Sequence, residues 1–429
     1  MFLSILNNGE TIQTENQFLL NSEKYKTIRF ESYSSKNTRQ EYDNGEIIIY
    51  FIGVVYNFDK LLEWYNDNDK SRIRTYTDIL VNIYKKHGFD YMLNVVDGVF
   101  SLILLDQRIN NQESTIYVIR DVLGITPLYA MTPLIDESID RTRNTYRYLS
   151  QSTINDVKCN QFIRGFSTSY DVLMELCSGL NKGSNISNYK INKLQLGFYH
   201  KYTVSNKVSC VWEVHKSPIK TFELGYCGSI NSSQSIEKVE RNVRKYISDS
   251  IDKRMKIIKN SIIVCVVNQN DFESIIIACL INQYLILNET DNYFEIFFTE
   301  SNNYTSYLQE VFETNKSTFI PKDVVISNYI KPKINDNNVV LFSSLFLNIN
   351  NEPQKDRSIM DIDKELNDSL SFIQDKIQII DGYDIEYPFL DIIWLKYFLS
   401  IDLTHRRFLI QKAFKNHEFE GKSGLFTLE

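Results

Sequence analysis

The feature that most constrains the fold is an apolar segment followed by a loop and then by a second apolar segment. Ile262–Val267 is apolar throughout, whereas a strand with one solvent-exposed face would alternate apolar and polar residues. This pattern predicts a strand buried on both faces, as in a parallel sheet covered by helices. Apolar residues resume over Ser274–Leu287, a length typical of a helix. The chain is therefore predicted to contain a β-loop-α unit of an α/β layer.

The residues around this unit predict a C-terminal α/β domain at 235–429. Apolar side chains recur every four residues over Ile236–Lys259, which indicates an amphipathic helix. The basic residues of Lys238–Lys259 alternate with acidic ones, so we interpret them as the solvated face of that helix. Further alternation of strand-like and helical segments follows at Phe294–Thr299, Tyr304–Thr314 and Val339–Phe346. Helices are predicted from about residue 360 onward.

The first half of the chain is dominated by short strands. Ile47–Tyr56, Phe100–Leu105 and Thr115–Ile119 are rich in β-branched and aromatic residues, and a helix that includes Asp78 ends at Gly88. The pattern predicts an α+β layered domain at 1–216 whose sheets end near residues 198–204. The polar segment 217–234 is predicted to be a linker.

Composition excludes several classes of protein. The formal charge of −7 argues against a nucleic-acid-binding protein, and the longest apolar runs are too short to span a membrane. The six cysteines form no C-x-x-C pair and the five histidines are scattered, so we expect no metal site and no disulfide framework. Reduced thiols indicate a cytosol-like compartment. The first residues lack a basic signal-peptide region, so we expect the mature chain to begin at or near Met1.

Abundant Asn, Ile, Lys and Tyr indicate an A/T-rich genome. A large DNA virus with such a genome is one possible source, and the protein would then be a candidate virion component.

Five blocks of sequence resemble the glutamine-dependent asparagine synthetase family. In the first half, the family patterns F-N-G-E-I-Y-N, Y-E-x-x-G, D-G-M-F-A-F-x-L-x-D and R-D-x-x-G-I-x-P-L-Y are similar to Phe51–Asn57, Tyr84–Gly88, Asp97–Asp106 and Arg120–Tyr129. The fifth block, in the second half, combines two motifs: V-P-F-L-D and K-Y-x-L-R-x-A-F are similar to Tyr387–Asp391 and Arg407–Phe414. Five blocks in the family's order identify the chain far better than one motif could.

The resemblance implies an N-terminal Ntn-hydrolase-like glutaminase sandwich followed by an adenine-nucleotide-hydrolase-like (PP-loop) domain that uses ATP and Mg. Relative to the family, the second domain is shortened, and the first carries an insertion at about residues 132–165.

The glutaminase chemistry of the family requires an N-terminal cysteine as nucleophile. Here Phe2 follows Met1, and the nearest cysteine is Cys159. No catalytic residue is therefore predicted in this domain.

The resemblance also locates a relic glutamine pocket. Its residues are Ile52, Gly53, Val54, Tyr76 and Asp78. Gly53 matches the glycine of the family's N-G-E oxyanion donors, whereas Ile52 and Val54 replace the Asn and the Glu. Tyr76 stands where S-D-x-E places a substrate-holding carboxylate. We therefore expect Ile52 and Tyr76 to fill the former pocket.

Other matching residues are predicted to hold turns and sheet edges rather than to perform chemistry. This structural signature consists of Arg120, Asp121, Gly124, Pro127, Tyr129, Pro388 and Asp391.

The family's S-G-G-x-D-S loop surrounds pyrophosphate with backbone amides at a helix N-terminus. The matching residues are Asn268, Gln269, Asn270, Asp271, Phe272, Glu273 and Ser274. Both glycines and the family aspartate are replaced, and two acids are added where a triphosphate would lie. We therefore predict that ATP and Mg binding are lost and that no cofactor is used. Arg407 keeps a positive charge and is either a residual pyrophosphate contact or a solvated side chain.

The favoured hypothesis is a pseudoenzyme that acts as a scaffold or a partner-binding protein, with a protein partner or as a homo-oligomer. Two alternatives stay open. One is an ATP-dependent amide ligase that uses ammonia or an amine, and the other is a small-molecule sensor in a relic cleft.

Overall fold

A computed structural model divides the chain into two compact units, Met1–Phe222 and Glu223–Glu429. The structure describes residues 2–5, 18–20, 28–31, 39–43, 46–65, 75–110, 113–133, 164–180, 189–194, 198–205, 212–218, 235–268, 271–288, 290–298, 303–312, 317–320, 338–344, 384–401, 409–415, 417–421 and 424–428. Most of the predicted insertion and of the predicted linker lies outside these residues.

The first unit consists mainly of strands. These are β1 (Phe2–Ile5), β2 (Phe18–Leu20), β3 (Ile28–Glu31), β4 (Arg39–Asp43), β5 (Ile47–Val55), β6 (Gly98–Asn110), β7 (Glu113–Arg120), β8 (Tyr129–Pro133), β9 (Arg164–Ser167), β10 (Tyr189–Lys193), β11 (Phe198–Ser205) and β12 (Trp212–Pro218). Its helices are α1 (Phe58–Tyr65), α2 (Tyr76–His87), α3 (Phe89–Val95) and α4 (Tyr170–Leu180). The last strand, β12, continues the sheet beyond the end predicted at residues 198–204, so that end was placed one strand too early.

The described strands form two antiparallel sheets, in the orders β10-β8-β9-β1-β3-β2 and β12-β11-β7-β6-β5-β4. One apolar cluster lies between the two sheets and includes Tyr50, Ile103, Phe166 and Tyr202. A second cluster packs α1, α2 and α3 against the sheet that contains β5, and a third packs α4 against β8 and β10. The unit therefore has four layers, in the order helices, sheet, sheet, helix.

Local sequence explains where α2 begins and ends. The Thr75 hydroxyl accepts a hydrogen bond from the Asp78 N–H, and the Asp78 carboxylate accepts one from the Thr75 N–H, which forms a capping box. The last turn is basic and the next residue, Gly88, has φ 85°, which favours glycine. Asp78 therefore serves as a helix cap in this fold.

The second unit alternates strands and helices. Its helices are α5 (Ile236–Met255), α6 (Phe272–Leu287), α7 (Asn303–Phe312), α8 (Ile392–Ser400) and α9 (Leu409–Phe414), with a 3₁₀ turn at Pro388–Leu390. Its strands are β13 (Ser261–Val267), β14 (Tyr293–Phe298), β15 (Ser317–Ile320), β16 (Asn338–Phe342), β17 (Asp384–Glu386), β18 (Glu418–Gly421) and β19 (Gly424–Thr427).

Five of these strands form a parallel sheet in the order β15-β14-β13-β16-β17. The predicted strand at Ile262–Val267 is β13, the central strand. The next two strands along the chain lie on one side of it and β16 lies on the other, so the order of strands reverses between β13 and β16. The loops that follow these two strands are adjacent at the carboxyl edge of the sheet, where open α/β sheets usually bind ligands.

Two expectations about the second unit need correction. Helix α6 begins at Phe272, two residues before the predicted start, with Asp271 at its N-cap position. The C-terminal region is not entirely helical: β17 joins the parallel sheet, and β18 pairs with β19 in an antiparallel hairpin.

Three further observations concern the described residues only. The cysteines among them, Cys177, Cys265 and Cys279, are buried free thiols. Their helices include none with the length and apolar character needed to cross a membrane. They contain no cluster of three His, Cys, Asp or Glu side chains arranged to hold a metal ion.

Candidate functional site

The turn that follows β7 is organised by the carboxylate of Asp121. Its oxygens accept hydrogen bonds from the N–H groups of Leu123 and Ile125 at 3.1 Å and of Thr126 at 3.0 Å. Gly124 has φ 58° in this turn, a backbone conformation that costs other residues energy. Burial raises the pKa of Asp121 to about 6, although the N–H groups of Thr126 and Ile125 and the charge of Arg120 oppose that shift. Through its hydrogen bonds to the backbone, the Asp121 carboxylate holds the turn.

Arg120 and Tyr129 flank the same turn and are buried. Burial lowers the pKa of Arg120 to about 10, against the opposing effect of the neighbouring Asp121 carboxylate. Tyr129 begins β8 and makes an edge contact with the ring of Tyr170, with centroids 5.7 Å apart. The Ser101 hydroxyl donates to the carbonyl of Pro127 at 3.3 Å. Together these contacts fix the connection between the two sheets.

Gly53 lies where β5 passes very close to β6. It has φ 130°, and a Cβ at this position would lie 2.1 Å from the carbonyl oxygen of Val99. Across the ladder, a Cβ on Gly98 would lie 2.3 Å from the carbonyl oxygen of Val54. Glycine is therefore required here for packing, whether or not its N–H once served an oxyanion.

The other relic-pocket residues do not converge. Ile52 packs against the cluster between the two sheets, whereas Tyr76 packs against the cluster on the helix side. The ring of Tyr76 makes edge contacts with Phe51 at 5.7 Å and with Phe58 at 5.1 Å. Adjacent residues of a strand point to opposite faces, so Phe51 lies on the helix side with Tyr76 while Ile52 lies on the side of the other sheet. The expectation that Ile52 and Tyr76 together fill one former pocket is therefore wrong.

The loop after β13 is closed by hydrogen bonds within itself. The Ser274 hydroxyl accepts from the Asn268 N–H at 3.1 Å and donates to the Asp271 carbonyl at 2.7 Å. The Asp271 N–H donates to the Asn268 carbonyl at 2.9 Å, and the Ser274 N–H donates to the Asp271 carbonyl at 3.1 Å. Gln269 and Asn270 lie outside the described residues. Backbone donors that could bind an anion at residues 268, 271 and 274 are thus used by the loop.

Two carboxyl groups and a hydroxyl meet at the carboxyl edge of the parallel sheet. The Ser344 hydroxyl, after β16, donates to the Asp271 carboxylate at 2.5 Å. Burial, together with the hydrogen bond to Asp271, raises the pKa of Glu273 to about 7. A protonated Glu273 does not repel the neighbouring Asp271 carboxylate. The arrangement places acidic oxygens, rather than cations, at the reversal of strand order.

A buried cation holds the segment that resembles V-P-F-L-D. Arg254 is only 1% exposed, and its Nε lies 3.0 Å from the Glu386 carboxylate. Its other nitrogens donate to the Tyr387 carbonyl at 3.2 Å and to the Asp391 carboxylate at 3.3 Å. The Ser250 hydroxyl donates to the Pro388 carbonyl at 2.7 Å. Helix α5 therefore anchors this C-terminal segment by polar contacts.

Asp391 completes this network. It caps α8 by accepting from the N–H groups of Ile393 and Trp394, and it also pairs with Lys253. Burial favours its protonated form, but Lys253 and Arg254 outweigh that effect and lower its pKa. The interpretation of the Lys238–Lys259 segment as a solvated face was therefore wrong at Arg254. Arg254 lies seven residues after the apolar Ile247, and this helical spacing was the sequence signal that placed it on the apolar side of α5. Arg407 lies outside the described residues.

A second polar network that sequence reasoning missed lies in the first unit. The Tyr84 hydroxyl donates to the buried Asp106 carboxylate at 2.6 Å, and Arg108 pairs with the same carboxylate at 2.8 Å. The Arg108 guanidinium also lies 5.3 Å from the centre of the Tyr84 ring. This group joins α2 to β6. Tyr84 and Asp106 belong to two of the matched blocks, but nothing in the sequence indicated that their side chains meet.

Comparisons with known proteins define the class of the first unit. Residues 28–137 match the glutamine amidotransferase domain family. The four-layer architecture and this match support an Ntn-like N-terminal domain.

Individual relatives show which amidotransferases this chain resembles. The chain is 34% identical over 87 residues to asparagine synthetase [glutamine-hydrolyzing] 1 of Lotus japonicus, which covers 20% of this chain and 14% of that protein. It is 33% identical over 87 residues to the asparagine synthetase of Asparagus officinalis, with the same coverage. It is 32% identical over 87 residues to a probable asparagine synthetase of Schizosaccharomyces pombe, with 15% of that protein covered. These matches confirm the resemblance to the asparagine synthetase family, over a small part of the length of those relatives.

Proposed function

We propose that this protein is an asparagine-synthetase-like pseudoenzyme, without glutaminase or ATP-adenylating chemistry, that serves as a scaffold or partner-binding protein. The observation that carries the proposal is the closed loop at residues 268–274. Its Ser274 hydroxyl and several backbone N–H groups are hydrogen-bonded within the loop. A triphosphate would have to break these contacts and approach the carboxyl groups of Asp271 and Glu273.

The proposal includes a relic PP-loop domain in the second unit. Support comes from the parallel sheet centred on β13, with the loop and helix α6 following that strand. The same sheet position in a nucleotide-binding domain would present its loop to phosphates. In this chain the position presents acids instead.

For the glutaminase half, support comes from side-chain identity. The family resemblance implies a nucleophilic cysteine at the N-terminus. In this chain Phe2 follows Met1 and begins strand β1. Tyr76, at the matched place of the substrate-holding carboxylate, packs its ring against Phe51 and Phe58. Such a ring cannot supply the charge that would hold the ammonium group of glutamine.

Nucleotide binding is tested by thermal denaturation of the full chain with millimolar Mg-ATP. A ligand that binds only the folded state stabilises it by about 2.7 kcal/mol at a hundred times Kd. We expect no change in Tm and no release of pyrophosphate with aspartate and ammonia. An active asparagine synthetase run in parallel is the positive control. A saturable rise in Tm would overturn the proposal and favour the amide ligase.

Glutaminase activity is tested with glutamine and with a glutamine-analogue electrophile, followed by intact-mass analysis. We expect no glutamate release above buffer and no covalent adduct. An adduct that maps to one cysteine and disappears in its Cys→Ser variant would show that the first domain is active.

A further inference from the structure

Two tyrosine side chains from different helices meet in the helical layer of the first unit. Tyr65 is the last residue of α1, and Tyr91 lies in α3, 26 positions further along the chain. Their hydroxyl groups are 2.5 Å apart, and their ring centroids are 6.3 Å apart with the ring planes at 82° to one another. The two phenols are therefore in direct contact, hydroxyl to hydroxyl.

Neighbouring groups hold both rings in this arrangement. The Asn82 amide donates to the Tyr65 carbonyl at 3.1 Å and fixes the end of α1 against α2. The ring centroid of His87 lies 4.6 Å from that of Tyr91 and 5.6 Å from that of Tyr65. The hydrogen bond to Tyr91 is the main cause that raises the pKa of Tyr65 to about 12, so Tyr65 stays a neutral phenol near neutral pH. Two groups held together in this way react as one molecule rather than as solutes that must first meet.

The tyrosine pair can be reached from solvent. Tyr91 is 40% exposed and Tyr65 is half-buried. Thiols compete with phenols for oxidants, but the cysteines among the described residues, Cys177, Cys265 and Cys279, are all buried. An oxidant in solution therefore meets these two phenols while those thiols are shielded.

We propose that Tyr65 and Tyr91 form a site of oxidative cross-linking, at which hydrogen peroxide, activated by a haem peroxidase, joins the two rings as dityrosine. Each phenol loses one electron and its hydroxyl proton, which gives two phenoxyl radicals. The unpaired electron of such a radical is shared with the ring carbons next to the one that bears the oxygen, and a carbon of this kind on each ring forms the new C–C bond. The hydrogens displaced from these carbons move to the two oxygens, and the peroxide is reduced to two molecules of water.

The product is a covalent link between α1 and α3, past the end of α2. A link of this kind closes a loop in the chain as a disulfide does, and it stabilises the fold by removing conformations from the unfolded state. The inference goes beyond the proposed function, since the cross-link neither requires nor excludes the loss of glutaminase and ATP chemistry.

The dilute full chain, treated with one equivalent of hydrogen peroxide and a catalytic amount of a haem peroxidase, tests the proposal. We expect the monomer to lose the mass of two hydrogen atoms and to gain the fluorescence of dityrosine. After proteolysis, mass spectrometry should find one peptide pair linked between Tyr65 and Tyr91. The Tm of the treated protein should rise by several degrees, because the link closes a loop in the unfolded chain.

Matched variants and reagents separate this reaction from general oxidation. Tyr91→Phe removes one of the two phenols and should abolish both the linked peptide pair and the rise in Tm. Tyr293→Phe, at a ring that is 62% exposed in the second unit, should change neither. Peroxide without the peroxidase controls for oxygen added to methionines such as Met174, which increases the mass. Circular dichroism of the untreated variants verifies that each one folds.

Three results would overturn the proposal. The first is a set of linked peptides that join other tyrosines while Tyr65 and Tyr91 stay unlinked. The second is dityrosine found only between two chains, and the third is oxygen added to the exposed Trp64 with no linked pair. None of these results bears on the ATP and glutamine tests, so failure of the cross-link and failure of the proposed loss of chemistry are distinguishable.

Discussion

Two aspartates, one in each unit, follow a core strand and organise the next loop in different ways. The Asp121 carboxylate binds three backbone N–H groups within five residues of itself. The Asp271 carboxylate binds the side chain of Ser344, 73 residues further along, and interacts with that of Glu273. In the first loop one carboxylate binds backbone groups, whereas in the second loop the carboxylate binds other side chains. A turn whose backbone is held by one side chain tolerates substitution at its other positions, whereas a loop in which side chains bind one another can change its chemistry at a few positions.

The largest effect on stability is expected at Gly53, where the backbone of β6 leaves no room for a side chain. Gly53→Ala combines a strained φ of 130° with a Cβ placed 2.1 Å from the Val99 carbonyl oxygen. We expect a loss of about 3–5 kcal/mol in the free energy of unfolding, from strain and overpacking together. Urea denaturation measures it. Gly88→Ala is the matched control, since that glycine also has positive φ but nothing within 4 Å of the added Cβ. Equal losses in the two variants would contradict the steric explanation.

Removal of the Asp121 carboxylate tests how far the turn after β7 depends on this side chain. Asp121→Ala leaves buried N–H groups without their acceptor, and we expect a loss of about 3 kcal/mol in urea denaturation. Asp121→Asn keeps one carbonyl oxygen and should lose about half as much. If both variants were as stable as the wild type, the turn would not depend on this side chain.

The pH dependence of stability should differ between the two loops. A carboxyl group whose pKa is raised on folding stabilises the fold fully below its unfolded pKa and loses that contribution as pH rises through the folded value. For Glu273 the window runs from 4.5 to about 7, and for Asp121 from 3.8 to about 6. The contribution of each of these two groups to the free energy of unfolding should therefore fall as pH rises across its window.

Glu273→Gln isolates the contribution of the second loop. Gln stays neutral, so the difference in stability between variant and wild type should grow in favour of the variant between pH 4.5 and 7, by about 1 kcal/mol after allowance for solvent screening. Glu310→Gln, at an exposed position on α7, is the control for the same substitution outside the loop. Parallel curves of stability against pH for Glu273→Gln and the wild type would contradict the raised pKa of Glu273.

The smallest effect concerns the contact between the loop after β13 and the loop after β16, at the carboxyl edge of the parallel sheet. Ser344→Ala removes the hydroxyl bound to Asp271 and should cost about 1 kcal/mol. A double-mutant cycle with Asp271→Asn should show a coupling of about the same size. Additive losses would mean that the two side chains do not act on each other in solution.

Sequence periodicity located most of the fold, with errors at the ends of elements. The apolar run at Ile262–Val267 correctly indicated the central parallel strand, which the structure extends by one residue to Ser261. The hairpin formed by β18 and β19 was missed, because strands of four residues carry too short a pattern to outweigh the helical neighbours. Alternation of Glu418, Phe419 and Glu420 was the only signal.

The polar networks were harder to anticipate than the strands. Arg254 looked like one of many basic residues on a mixed-charge helix, and only its position on the apolar side distinguished it. Besides Ser250, one helical turn before it, its partners lie more than 130 residues away in sequence, and no local rule connects them. Likewise, the motif predicted a turn at Asp121 but could not show which N–H groups its carboxylate binds. Long-range pairing of this kind depends on how the elements pack.

The buried Arg254 also bears on how the protein is made. During synthesis, α5 leaves the ribosome well before Glu386, Tyr387 and Asp391, which supply its carboxylate and carbonyl partners. A guanidinium that is 1% exposed in the finished fold cannot be buried alone without a large desolvation cost. The second unit therefore cannot reach its native packing while the chain is still short of residue 391. A nascent chain stalled before that point should expose α5 to chaperones and proteases, whereas the sandwich encoded upstream can already be folded.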